Sequence, residues 1–231
     1  MLKLIKLELR KVKIGFYIKR ALFANLVVIL IFFLMIISPK DGRNIEFTSF
    51  INTFIMVESL IKAVFIIFAS VLLSRFVIEE YKNKTITVLF TYPINRKKLI
   101  ISKLMIVVLF TFIAIVLSNI LVDFILYNIN IFYNFVPSKL TMTTVIESLI
   151  IIFLNALVSS TAALIPMYVG MKKKSVPTTI VSSILIMFLI CSNSGCYSLK
   201  FISIIPILLS ILGIFVTYLS IIDIEHEDII I

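Results

Sequence analysis

The chain has 231 residues, 61% of them apolar and only 15% charged, with 22 lysines and arginines against 12 acidic residues and a net charge of +10. A soluble domain sits near half apolar and a quarter charged, so this balance excludes an ordinary water-soluble protein and points to an all-α integral membrane protein.

In chain order, the opening "MLKLIKLELRKVKIGFYIKR" (residues 1–20) places Leu2, Ile5, Leu9, Val12 and Phe16 at three-four spacing, with Lys3, Lys6, Arg10 and Lys13 on the neighbouring face. This predicts an amphipathic helix in the inner membrane interface. A plain positively charged tail is the other reading, because Leu4, Leu7 and Ile14 fall off the stripe. Six apolar runs follow, at about 21–38, 53–74, 104–127, 145–169, 177–192 and 201–222. Runs of roughly 18 to 25 apolar residues cross about 30 Å of hydrocarbon. The expected layout is therefore one membrane domain over 1–231: the interfacial helix, spans one and two (21–74), a polar segment (75–103), spans three to six (104–222) and an acidic tail (223–231). No small-residue cleavage site follows the first run, so it reads as a span, not a signal peptide.

Ionisable and amide side chains within the runs are candidates for a substrate path. Glu58 and Lys62 lie one turn apart on the second, Asp123 sits near the outer end of the third, and Asn155 shares a face of the fourth with Ser159, Ala163 and Pro166. The competing reading is an ion pair and a small-residue packing seam. Glu147, at the outer start of the fourth run, can simply reach water. Cys191 and Cys196 flank "SNSG" in the expected outer loop before the last run, where a disulfide and two free thiols are both open.

The basic residues set the orientation. The opening segment, the segment after run two and the loop after run four hold 17 of them, and the three alternate loops hold four. That bias puts both termini in the cytoplasm of a multi-pass protein of the cell membrane. It also accounts for most of the net charge, so nucleic acid is not an expected partner. His226 is the sole histidine, which excludes an intramembrane HExxH zinc site, and no metal spacing occurs elsewhere. "GMKKKS" lacks the spacing of a phosphate-binding P-loop. No catalytic residues are expected.

The segment between runs two and three is the most polar part of the chain. Thr85 can cap a short helix over "ITVLFT", in which Ile86, Leu89 and Phe90 share a face; Pro93 ends it, and Asn95 can cap the next helix, "RKKLIISKLM". Capping and an apolar stripe are more than a solvated loop needs. "EEYKNKTITVLFTYPINRKKLIISKL" resembles the coupling region of ATP-binding-cassette permeases of the type-2 family. The resemblance rests on Glu80, Thr85, Leu89, Pro93, Arg96 and Lys103, and it departs at Lys84, where glycine is common, and at Asn95, where serine is common.

The resemblance implies six transmembrane helices, an N-terminal interfacial helix and a cytoplasmic coupling helix between spans two and three. Glu79, Glu80, Thr85, Leu89, Phe90, Pro93 and Arg96 would form the element that docks a separate ATPase. Two ATPase copies and a second permease, identical or related, would complete an exporter, with ATP and magnesium held by the ATPase and no cofactor in this chain. Small outer loops suit family branches that move amphipathic or antimicrobial peptides, with cell-wall polymer, lipid and sodium open as other cargo, and membrane lipids are expected partners. A non-transporting scaffold or sensor that docks a cytoplasmic regulator is the alternative.

Overall fold

The second apolar run begins where Ser49, in extended backbone, caps a helix: its Oγ accepts from the Asn52 N–H at 3.4 Å. Thr53 adds a hydroxyl bond back to the Ser49 carbonyl at 3.1 Å. In the computed structural model, which describes residues 14–37, 49–82, 96–133, 136, 141–191 and 204–226, this helix, α2 (Phe50–Leu73), is the centre of a helical bundle. It follows α1 (Ile14–Ile37) and runs through a π-helical turn, Ser74–Ile78, into the short α3 (Glu79–Lys82). Then come α4 (Arg96–Tyr133), α5 (Met142–Ala162), α6 (Ile165–Lys173), α7 (Val176–Cys191) and α8 (Ile204–His226). Among the described residues there is no strand.

α2 packs most extensively against α7 and α4, α5 packs against α8 and α4, and α6 against α7 and α8. Two apolar clusters stack along α2. Val57, Ile61 and Phe65 meet Val28 and Phe32 of α1, Ile115, Val122 and Leu126 of α4, and Ala156 of α5. Nearer the 75–103 segment, Ala69, Leu72, Leu73 and Val77 meet Tyr17, Ile100, Leu104, Val107 and Met167. The outward faces are as apolar as the core: Phe23 is 69% exposed, Phe124 67% and Leu185 63%. So much apolar surface on so many helices is not compatible with water, and it is what a lipid-facing bundle presents. The protein is a multi-pass membrane protein.

Among the described residues, four stretches are long and apolar enough to cross a bilayer: Gly15–Met35, Phe50–Ile78, Lys98–Tyr133 and Met142–Lys173. The last two expected spans appear as shorter apolar helices, Val176–Cys191 and Ile205–Ser220. At 1.5 Å per residue the first of these rises about 24 Å, short of the roughly 30 Å of a typical hydrocarbon core. The all-helical class expected from sequence is therefore observed, with four helices of spanning length and two shorter ones.

Boundaries differ in instructive ways. Residues 14–20, expected in an interfacial helix, continue without a break into the first spanning helix, and residues 1–13 lie outside the described set. The third run is the middle of a single 38-residue helix that starts at Arg96, where the Asn95 cap was expected. The fourth run is broken at Ala163–Leu164, because Pro166 has no N–H to donate to Ala162 four residues earlier. Two bent bonds cover the break, from the Leu164 N–H to the Thr161 carbonyl at 3.1 Å and from the Met167 N–H to the Leu164 carbonyl at 3.0 Å. The small-residue seam is packing: Ser159, Ala163 and Pro166 are all buried.

Candidate functional site: a braced connector base and a buried charge cluster

Glu80 stands in α3, the last turn of the helix that continues from α2 through the π-helical turn. The π-helical turn before it widens the helix and misaligns its backbone ladder, a feature often found at functional positions. Opposite stands Lys103, two turns into α4 and 3% exposed, among buried Leu99, Ile100 and Leu104. Its ammonium pairs with Glu80 Oε2 and donates to the Phe76 carbonyl, in the π turn, at 3.1 Å. The Phe76 ring in turn meets Tyr17 of α1 edge-on at 5.7 Å. One lysine thus ties the two ends of the 75–103 segment together, and an aromatic contact ties that junction to α1.

This junction carries Glu79, exposed, and Glu80, half-buried, at one end and Arg96 at the start of α4. The remaining expected docking residues, Thr85, Leu89, Phe90 and Pro93, lie outside the described residues, as does the Arg96 side chain. Lys103 matched the resemblance pattern but was not among the expected docking residues. Its signal in the sequence is a single charge in the apolar stretch "LIISKLMIVVLF", which calls for a partner.

A second polar group lies deeper. Glu58 and Lys62 form the expected i,i+4 pair with Nζ to Oε1 at 3.5 Å, and both residues are buried. That separation is long, and Glu58 Oε1 has no hydrogen-bond partner. Asp123 lies on α4, the helix packed against α2. One turn before it, fully buried Asn119 donates to the Ile115 carbonyl at 2.8 Å and leaves its Oδ1 unmatched; Asp123 Oδ1 is unmatched too. Glu58 and Lys62 therefore stand together on α2, and Asp123 lies on α4, which packs against it. Asn155 is half-buried on α5, on the face of Ile151 and Ile152. Cys191 presents its thiol to the Ser59 carbonyl at 3.5 Å, while Cys196 lies outside the described residues.

Glu58 also lines a cleft between α2 and α5, walled by Phe54, Ile55, Ile151 and Ile152, with Glu147 and Thr144 on the α5 side. Glu147 was expected only to reach water; it is exposed, and it shares this cleft with Glu58.

The comparisons with known proteins agree with this architecture. The sequence model of the ABC-2 family transporter proteins matches residues 4–190. An uncharacterised protein of Bacillus subtilis (strain 168), YcbO, is 40% identical over 227 residues, which cover 98% of this chain and all of that relative. No solved structure matches the chain significantly. A family match over most of a multi-pass helical bundle, together with a full-length relative, settles the assignment: the chain belongs to the ABC-2 family of transporter membrane proteins, whose members serve as transport subunits in association with an ABC ATPase.

Proposed function

We infer that this chain is the permease subunit of an ATP-driven exporter, pairing with a second permease and with two ATPase subunits supplied in trans. In this reading all six apolar runs span the membrane, both termini are cytoplasmic, and residues 75–103 are the handle the ATPase grips. The observation that carries it is the brace at the base of that handle, where Lys103 joins Glu80 to the Phe76 carbonyl. A force applied to a connector with unlinked ends would be lost in bending the connector. Linked ends move together, so displacement of the connector shifts α2 and α4, two of the most closely packed helices of the bundle. Nucleotide-driven closure of the ATPases then biases the helices between two arrangements, in proportion to the difference in ATPase affinity for each.

The cargo in this reading is amphipathic, an antimicrobial peptide or a molecule of like character, reaching the transporter from the membrane. The test is isolation of the full-length chain from its native membrane in mild detergent. A stoichiometric ABC ATPase should co-purify, with ATP hydrolysis in the eluate. A co-purifying kinase or other regulator in place of an ATPase would instead favour a scaffold or sensor.

A further inference from the structure

The fourth apolar run changes partners at its break. Before it, α5 packs against α8 and α4; after it, α6 packs against α7 and α8 and shares no comparable interface with α5. Pro166 has no N–H to complete the helical ladder, which gives way to three-residue bonds across Ala163–Leu164. On the α5 side of the break, Gly213 sets the α8 backbone directly against the Thr161 carbonyl. That close approach holds α8 to α5.

On the other side, α6 is held to the base of the 75–103 connector. Gly170 is buried where α6, α7 and the π turn converge, and a Cβ there would collide with Thr179 Oγ1 and Ile78 Cδ1. Both neighbours are fully buried, and the Thr179 hydroxyl is engaged, donating to the Ser175 carbonyl at 3.0 Å. One turn before Gly170, Met167 packs among Leu72, Leu73, Val77 and Leu104. Ile78 ends the π turn two residues before Glu80, so this junction adjoins the Lys103 brace. At the far end of α7, the Cys191 thiol donates to the Ser59 carbonyl of α2 at 3.5 Å. The α6–α7 hairpin is thus fixed to α2 near both ends, and it joins α5 through a break.

We propose that the α6–α7 hairpin moves as one body with the base of the connector, hinged from α5 at Ala163–Leu164, and that Gly170 is the positioning residue of the joint. Backbones packed this closely transmit displacement, because no flexible side chain lies between them to take it up. A helix bends most easily where its ladder is already interrupted. Displacement of the connector then carries α2 and the hairpin past α5 and α8, which stay together at Gly213. That transmission rests on the permease reading; the joint itself does not, and the two can fail separately.

The test is the separation of paired spin labels, read by pulsed electron resonance in full-length protein carrying Cys191→Ser and Cys196→Ser and co-produced with excess unlabelled chain. One pair, Arg75→Cys with Lys173→Cys, spans the joint. The other, Lys173→Cys with Tyr218→Cys, spans from the hairpin to α8; all three positions are exposed. In the complex with its ATPase, trapping with ATP and vanadate should change the second separation and leave the first unchanged. Gly170→Ala should displace the first separation and abolish the change in the second. Adding Ile78→Val and Thr179→Ala removes the two atoms the new Cβ would strike, so the triple variant should restore both readings. A first separation that changes as much as the second would overturn the proposal. So would no change in either pair while the complex hydrolyses ATP, or an intact response in Gly170→Ala.

If no ATPase accompanies the chain, the permease reading fails and the chain alone, in nanodiscs, decides the joint. There Gly170→Ala should displace the Arg75–Lys173 separation and the triple variant should restore it; an unchanged separation overturns the joint. Where Gly170→Ala does not fold, Ile78→Val with Thr179→Ala and Gly170 retained decides. That variant opens a void at the joint and should broaden the Arg75–Lys173 distribution, and an unchanged distribution would overturn the proposal.

Discussion

Lys103 shows what one side chain can do in a protein of this kind. A lysine at 3% exposure is expensive unless its charge is met, and here a carboxylate and a backbone carbonyl meet it. Lys103→Met should therefore destabilise the protein by about 2–3 kcal/mol, because it removes the cation paired with the half-buried Glu80 carboxylate. The double variant Lys103→Met, Glu80→Gln should recover most of that loss, since an absent pair is cheaper than a broken one. Thermal melts of the purified variants in one detergent provide the measurement; additive losses would show that the two side chains act independently. Part of this was legible beforehand, because Glu80 and Lys103 both stood in the resemblance pattern. Their pairing was not, since 23 residues separate them and only the fold brings α3 beside α4. Glu58 and Lys62 were readable as a pair, because a helix places residues four apart on one face. The packing of Asp123's helix against theirs was not readable, for it depends on how α2 and α4 meet.

At the scale of elements, close approach decides where α8 meets the end of α5. Gly213 of α8 lies against the break after α5: a Cβ there would come within 2.5 Å of the Thr161 carbonyl oxygen, a backbone atom that cannot turn away. Gly213→Ala should lower stability by about 1–3 kcal/mol and loosen α8 from α5, read as a lower melting temperature and faster proteolysis. At the end of α6, Lys174 adopts φ 47°, ψ 37°, a left-handed conformation that glycine takes without penalty. Lys174→Gly should accordingly raise stability by about 1 kcal/mol in the same melts. A lower melting temperature would mean that the lysine's charge beside the last carbonyls of α6 outweighs its backbone strain. Element existence was well marked in the sequence by long apolar runs. Three features were not: the π turn at Ser74–Ile78, the break at Ala163–Leu164 and the extension of α4 to 38 residues. The first leaves no compositional trace. The second was signalled by Pro166, within a stretch that also read as a packing seam. The third has no stop signal until the polar residues near Tyr133, since the lead-in "RKKLIISKLM" and the span share one helical phase.

The whole molecule is a bundle around α2, with its polar connector braced at its base and a buried Glu58–Lys62 ion pair inside. Membership of the ABC-2 transporter family gives that plan a context, and under the proposed function an ABC ATPase would supply the force that this chain turns into helix movement. The account's central claim is that the 75–103 segment is the ATPase's point of contact. The most direct measurement is site-specific cross-linking in a Cys191→Ser, Cys196→Ser background. Single cysteines are placed at Leu89 in the connector and at Arg43 in the loop between the first two runs, and a short bifunctional thiol-to-amine reagent is applied to native membranes. The account predicts an adduct of this chain with an ABC ATPase from Leu89→Cys and none from Arg43→Cys, which the proposed orientation puts on the opposite side of the membrane. An ATPase adduct from Arg43→Cys, or none from Leu89→Cys in a complex that still co-purifies with its ATPase, would contradict it.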